Sequence, residues 1–526
     1  MGLVTAPLFL KAVDRVKKGT TMNAISERFH YLFRSTKGLI LVAIAMISLV
    51  TAIWGTLSGP MVEWGVRDIT LKLTGMQLDP AHREGRIIIL YHVIAMAVIA
   101  IEVYMMTSII PMRKYQQTYI NATVTFGYLI TMIFGLWFAY WGRNFVFHGV
   151  FLFGLSLMFF SGLLLASALW PWRKEYHVKD PAYAHTRSGI DLERVAFFVM
   201  VVATLGSAAF GAFTGSYWGQ GHETFLAEDL IREPHKNALQ LAIIGHLHIM
   251  LTLIAIAITL IIGRWLDFKG VFHKIAMWLM IVGTIVITLG VWSVVPYEAI
   301  AHKIIYVGSV FVLLAALFLV IYGWRKQIHE RLAELQISRP TLWQRLKALV
   351  HDPIKFGPLW QMVYMNFTVS GVGIFMAIKL DEIFRVWPAR EERISLTGHW
   401  HILSGIIATI ILLYYADICG IRGKARKWFG WTVIIGSDIA FGAVTIFAMK
   451  RLFVDLIAQQ TVVTWTMILA DLGLAIVLIA LAVLMLWRLF DLFKGNGLWK
   501  KELQSDQLPV NRTAELKKAH LEEEVE

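Results

Sequence analysis

Gly398-His399-Trp400-His401-Ile402-Leu403-Ser404-Gly405 stands near the start of an apolar run that ends at about Asp417. Roughly 20 apolar residues are what a helix needs to cross the hydrocarbon of a bilayer. Each helical residue advances about 100°, so His399 and His401 point roughly 200° apart. They cannot serve one site. They can serve two sites on opposite sides of one helix, and neutral imidazole is a ligand for iron, copper or zinc. The plain alternative is a pair of helix-end histidines that meet water or cap a neighbouring backbone.

The remainder of the chain has the same character. Hydrophobic residues fill 57% of 526 positions and charges only 16%, and the apolar residues come in blocks of bilayer length. This predicts an all-α membrane protein with about twelve spans, at 38–58, 86–110, 120–141, 144–170, 194–216, 236–264, 273–296, 301–324, 359–379, 395–418, 427–449 and 461–490. Residues 1–37 read as a cytoplasmic, amphipathic leader without a cleavable signal, 38–490 as the membrane domain, and 491–526 as a cytoplasmic charged tail.

Net charge is +13, and its placement matters more than its sum, because Lys and Arg in short loops stay on the cytoplasmic side. With the N-terminus inside, the basic groups fall on inner segments: Lys11 to Arg34, Arg113 and Lys114, Arg173 to Lys179, Arg325 to Lys355, and Arg422 to Lys427. Outer loops hold Glu223, Glu228, Asp229, Glu298, Asp381, Glu382, Glu391 and Glu392. Both termini are therefore expected inside, and the basic balance needs no nucleic-acid partner. Cys419 is the only cysteine, which excludes an intrachain disulfide, a four-cysteine cluster and a Cys-x-x-Cys-His haem attachment.

At 1.5 Å per residue each membrane histidine has a depth. His92, His148, His246, His248, His302, His399 and His401 all fall on even-numbered spans and in the outer half of the membrane. A histidine within a span is costly unless paired, ligated or in a wet cavity, so one layer of them points to a metal or haem layer. His148 matches no partner spacing and reads as a helix-end residue. Only one of His246 and His248 is expected to be a ligand, because they face opposite ways. His177, His185, His329 and His351 sit in basic loops and read as solvated. Glu102, Asp438 and Asp471 lie within spans, where such acids mark either a proton or ion route or an internal hydrogen-bonded pair. The 21 Met and 20 Trp read as lipid-facing packing and interface belts.

Tyr91-His92-Val93-Ile94-Ala95-Met96 and His399-Trp400-His401-Ile402-Leu403-Ser404 resemble the catalytic subunit (subunit I) of the haem–copper oxidase superfamily. The resemblance covers most of the chain. It implies twelve spans, both termini inside, and His92 and His401 clamping a low-spin haem while His399 holds a high-spin haem. Gly245-His246 and the run from Ala301-His302-Lys303 to Gly308 resemble the segments that hold the family's second metal, but Lys303 stands where the family has a second histidine. A lysine is normally cationic and repels a divalent metal. Glu298, one turn before His302, or His248 would complete the site, or nothing would.

Met250 stands where oxygen-reducing members carry a tyrosine, and Lys427-Trp428-Phe429-Gly430-Trp431 looks nearer the nitric oxide reductase branch. The acid expected one turn after His246 in that branch is missing. Lys450 and Arg451 resemble the basic pair that neutralises haem propionates, with a solvated loop pair as the alternative.

The implied function is a haem-containing membrane oxidoreductase of the nitric oxide reductase type in the cytoplasmic membrane of a prokaryote. Its cofactors would be two non-covalent haems, low-spin and high-spin and b-type, with a non-haem iron or copper where the second site is complete. Electrons would come from quinol or from a cytochrome c or cupredoxin-type partner subunit, and the substrate would be a small gas. The alternatives are an oxygen reductase, a two-haem electron conduit that has lost its second metal, and a proton or ion transporter whose histidines and acids form a relay.

Overall fold

Apolar blocks with no water to satisfy their backbone must close their hydrogen bonds within each segment, and in a computed structural model they do so as helices. The structure describes residues 20–58, 60–79, 83–142, 144–218 and 238–507. The expected acids Glu223, Glu228 and Asp229, most of the leader and the end of the tail lie outside the described residues. Among the described residues there is no β-strand.

In chain order the helices are α1 (Thr20–Arg34), α2 (Thr36–Ser58), α3 (Val66–Thr74), α4 (Arg83–Ile109), α5 (Lys114–Tyr140), α6 (Phe145–Leu169), α7 (Leu192–Phe213), α8 (Ala238–Trp265), α9 (Val271–Trp292), α10 (Glu298–Glu334), α11 (Leu342–Leu349), α12 (Pro353–Tyr364), α13 (Val372–Ile378), α14 (Ala389–Ile418), α15 (Gly423–Met449), α16 (Gln459–Phe493) and α17 (Leu498–Gln507). Among the described residues twelve segments are long and apolar enough to cross a membrane, with α12 and α13 forming one of them. The chain is a twelve-helix, multi-pass membrane protein.

Observed bounds lie within six residues of the expected ones, except that the eighth span runs on to Glu334. Its extension carries no Gly or Pro to stop it after Gly323. Pairs one turn apart support it, Lys326 with Glu330 at 3.8 Å and Arg331 with Glu334 at 2.8 Å.

α8 packs against α4, α7, α9 and α14, and so takes a central position. Of the apolar window of α14, 61% is buried inside the protein, against 22% for α16. The histidine-bearing helix is thus interior and the last span peripheral.

Sequential spans pair as antiparallel hairpins, closest where glycines face each other. A Cβ on Gly473 would lie 2.6 Å from the Ala440 nitrogen and the Gly436 oxygen of α15. Between membrane helices packing drives association, and small residues let backbones approach. Gly473→Ala is expected to cost about 1–3 kcal/mol by overpacking, read as a lower thermal unfolding midpoint in detergent.

On the face carrying Arg113 and Arg173, Asp191 caps α7 by accepting from the Glu193 amide at 2.9 Å, and Arg264 of α8 pairs with Glu193 at 2.7 Å. Tyr183 donates to Asp267 at 2.5 Å. Burial first, then this bond to a carboxylate, pushes the Tyr183 phenol up to about 12.

The same end joins the two extremities of the described chain. Arg488 of α16, 1% exposed, forks onto Glu502 of α17 at 2.5 and 3.4 Å and donates to the Tyr31 hydroxyl of α1. Tyr31 donates to Glu502 at 2.8 Å, and Lys37 reaches it at 3.2 Å. Arg28 donates to the Leu492 carbonyl at 2.8 Å, and Asp491 accepts from the Leu498 and Trp499 amides at 2.8 and 3.0 Å. Burial holds the Tyr31 phenol far above its ordinary range.

Candidate histidine site

His246 lies near the start of α8, where Gly245 lets α9 come close: a Cβ on Gly245 would meet Val291 and Val294 at 3.2 Å. His246 faces α4 and α7. Its ring stands 6.3 Å from that of His92 with 18° between planes, and its Nδ1 lies 3.1 Å from the Ser207 carbonyl. His248, two residues on, faces the opposite way and meets Trp400 of α14 edge-on at 4.9 Å. The 200° separation read from the sequence is thus realised.

Carbonyl oxygens only accept, so these contacts fix tautomers. His92 Nδ1 donates to Ile88 at 2.8 Å, His246 Nδ1 to Ser207, and His248 Nδ1 to Ile244 at 2.8 Å. In His92 and His246 the lone pair is then on Nε2, an atom a metal can take, and a backbone carbonyl on the far nitrogen is the usual support of a ligating histidine. A neutral imidazole nitrogen is a donor that iron, copper or zinc accepts.

α14 carries His399 and His401 on different sides. His399 lies beside α13, where a Cβ on Gly373 would meet its ring at 3.4 Å, and its ring is 5.5 Å from Trp400. His401 is exposed. His302 is exposed and stands 6.5 Å from Tyr306, Lys303 is exposed, and Glu298 is half-buried at the first position of α10, after Tyr297. The structure brings His92 and His246 together and links His248 to His399 through Trp400. Among the described residues no three His, Cys, Asp or Glu side chains form a group arranged to hold a metal ion, so His246, His302 and Glu298 are not assembled as a set. His148 lies against Phe138 at 5.1 Å, ring to ring, near the start of α6.

Lys450 is buried, with Nζ against the Glu391 carboxylate, and Arg451 lies over Trp387 at 5.8 Å. This basic pair sits where α15 ends and α14 begins, two turns from His399 on α14. Asp438 accepts from Trp360 at 2.9 Å and Gln361 at 3.4 Å, so it is the internal hydrogen-bonded case. Asp471 is exposed on α16, away from the histidines' helices. Glu102 is 3% exposed, and its Oε1 accepts no hydrogen bond among the described residues.

Composition and spacing gave no sign of the widened turns with i→i+5 bonding at Thr214–Trp218, Met365–Gly371 and Leu380–Phe384. Two of them flank the histidines: one follows Gly211, which packs on His246, and one precedes Gly373, which packs on His399. Such bulges occur disproportionately at functional sites. Pro358, two turns before the one at Met365, removes a helix hydrogen bond in α12 and is the irregularity the sequence offers there.

Comparison with family models, curated proteins and solved structures finds no match for this chain.

Proposed function

We propose that the protein is a haem-binding membrane oxidoreductase that reduces a small gas, nearest in character to nitric oxide reductases. The observation that carries this reading is the pair of His92 and His246, stacked ring to ring with each Nδ1 held by a backbone carbonyl, on α4 and on α8, which meets α14 and its His-x-His. His92 and His401 would hold a low-spin haem, and His399 a high-spin one. Non-covalent haem supplies one-electron transfer and an open iron position for a gas.

The chain's own residues do the rest. The carbonyls of Ile88 and Ser207 keep the His92 and His246 rings oriented and Nε2 deprotonated. Lys450, held by Glu391, sets a cation near the start of α14 that would offset propionate charge. Glu298 and His302 are one turn apart at the start of α10; a two-histidine, one-carboxylate set suited to iron would need His246 brought to them, and among the described residues they are not assembled with it. Lys303 favours the second reading, a two-haem conduit between quinol and a partner, because a cation there disfavours a second metal.

A reduced-minus-oxidised visible spectrum of purified protein tests the class. Two b-type components are expected, and total iron should exceed haem. His92→Ala should remove the low-spin component and leave a carbon-monoxide-binding haem. A protein without haem bands would be read as a transporter, and iron equal to haem as the conduit.

A further inference from the structure

An open groove of about 870 Å³ runs between α6, α7 and α9, lined by apolar side chains that include Leu163, Ala166, Val202 and Leu205. That volume is at the upper end of small-ligand sites, roughly 300–1,000 Å³. One end is marked by Trp170 and Trp172, both about half exposed, whose rings are 4.7 Å apart and edge-on to Phe198. Exposed tryptophans at a span end mark the level of lipid headgroups. The other end is closed by Trp292, which donates to Ser207 at 3.3 Å. From Phe198 to Ala209 the groove follows twelve residues of α7, a rise of about 17 Å. That is near half of a ~30 Å hydrocarbon core, the depth of one leaflet.

Arg173 lines the headgroup end. Its Nη1 is buried and makes no hydrogen bond among the described residues, the nearest carboxylate being Glu175 at 3.9 Å. Glu175 is committed to Arg113 at 3.3 Å, and that bond holds its carboxyl below the usual range, so it stays charged. Arg194, beside the same end, is engaged by the Ala168 and Pro111 carbonyls and by the Tyr176 ring at 3.6 Å. With Lys174 next in sequence, cations outnumber carboxylates here. Arg173 is the guanidinium left to receive an anion, and a guanidinium matches phosphate geometry.

We propose that this groove is a binding site for an anionic phospholipid, with acyl chain along α6 and α7 and headgroup phosphate on Arg173. The apolar lining alone gives no preference over bulk lipid, since hydrocarbon is exchanged for hydrocarbon. Selectivity resides at Arg173. A leaflet-deep groove fits an acyl chain, whereas a long isoprenoid tail would overrun it.

The test is native mass spectrometry of the detergent-purified full chain with phosphatidylglycerol and phosphatidylcholine of matched chains. Wild-type protein should retain phosphatidylglycerol over phosphatidylcholine, and Arg173→Gln should lower that retention about fivefold, the effect of one basic residue on anionic lipid. Arg173→Lys should restore part of it. Ala166→Phe, which fills the groove, should lower retention of both lipids, and monodisperse elution checks each variant's fold. Should Ala166→Phe fail that check, Arg173→Gln and Arg173→Lys decide alone. Equal retention by Arg173→Gln, equal retention of the two lipids, or displacement of phosphatidylglycerol by a long-chain isoprenoid quinone would each overturn the proposal.

Discussion

His399→Ala is expected to abolish carbon monoxide and nitric oxide binding while leaving the low-spin spectrum in place. The effect should be near complete, because a five-coordinate haem has one protein ligand and no second donor to replace it. His399 is positioned from two directions, by Trp400 within α14 and by α13 at Gly373, where the chain has just left a widened turn. His401→Ala is the paired measurement, expected to do the reverse. The division between the two is the one the family resemblance implies; the fold adds that they lie on different sides of α14, His399 against α13 and His401 exposed. A carbon monoxide difference spectrum of the two purified variants reads both outcomes. If His399→Ala binds carbon monoxide as the unmodified protein does, the high-spin assignment fails.

Arg488→Met should be the most damaging change away from the histidines. It removes the cation that forks onto Glu502 and donates to Tyr31, and so takes the bidentate partner from a carboxylate in a site where Arg488 was 1% exposed. Breaking one partner of a buried pair costs roughly 3–5 kcal/mol, whereas replacing both by apolar residues is often neutral. The double variant Arg488→Met/Glu502→Leu should therefore recover most of the lost stability in thermal unfolding. Protease should cleave near residue 500 faster in the single variant, because Glu502 anchors α17 to α1 and α16.

The number of crossings and their approximate bounds are legible in the sequence, because they depend on one-dimensional properties: runs of apolar residues and a fixed rise per residue. The opposite aim of His246 and His248 follows from the same periodicity. What the chain alone leaves open is which residues meet between helices. That His92 faces His246 depends on how α4 and α8 are rotated against each other, and rotation is set by close packing at distant positions such as Gly245 against α9.

Asp438 and Asp471 look alike in sequence, yet one accepts bonds from Trp360 and Gln361 and the other is exposed on α16. Hydropathy cannot see which face of a span points inward. Residues 491–507 read as the start of a charged tail because their charges suggest water. In the fold Glu502 finds Arg488, Tyr31 and Lys37, from segments up to 471 residues away. Pairing across that separation is a property of the assembled bundle, since the desolvation cost of each charge is offset only when all partners are in place.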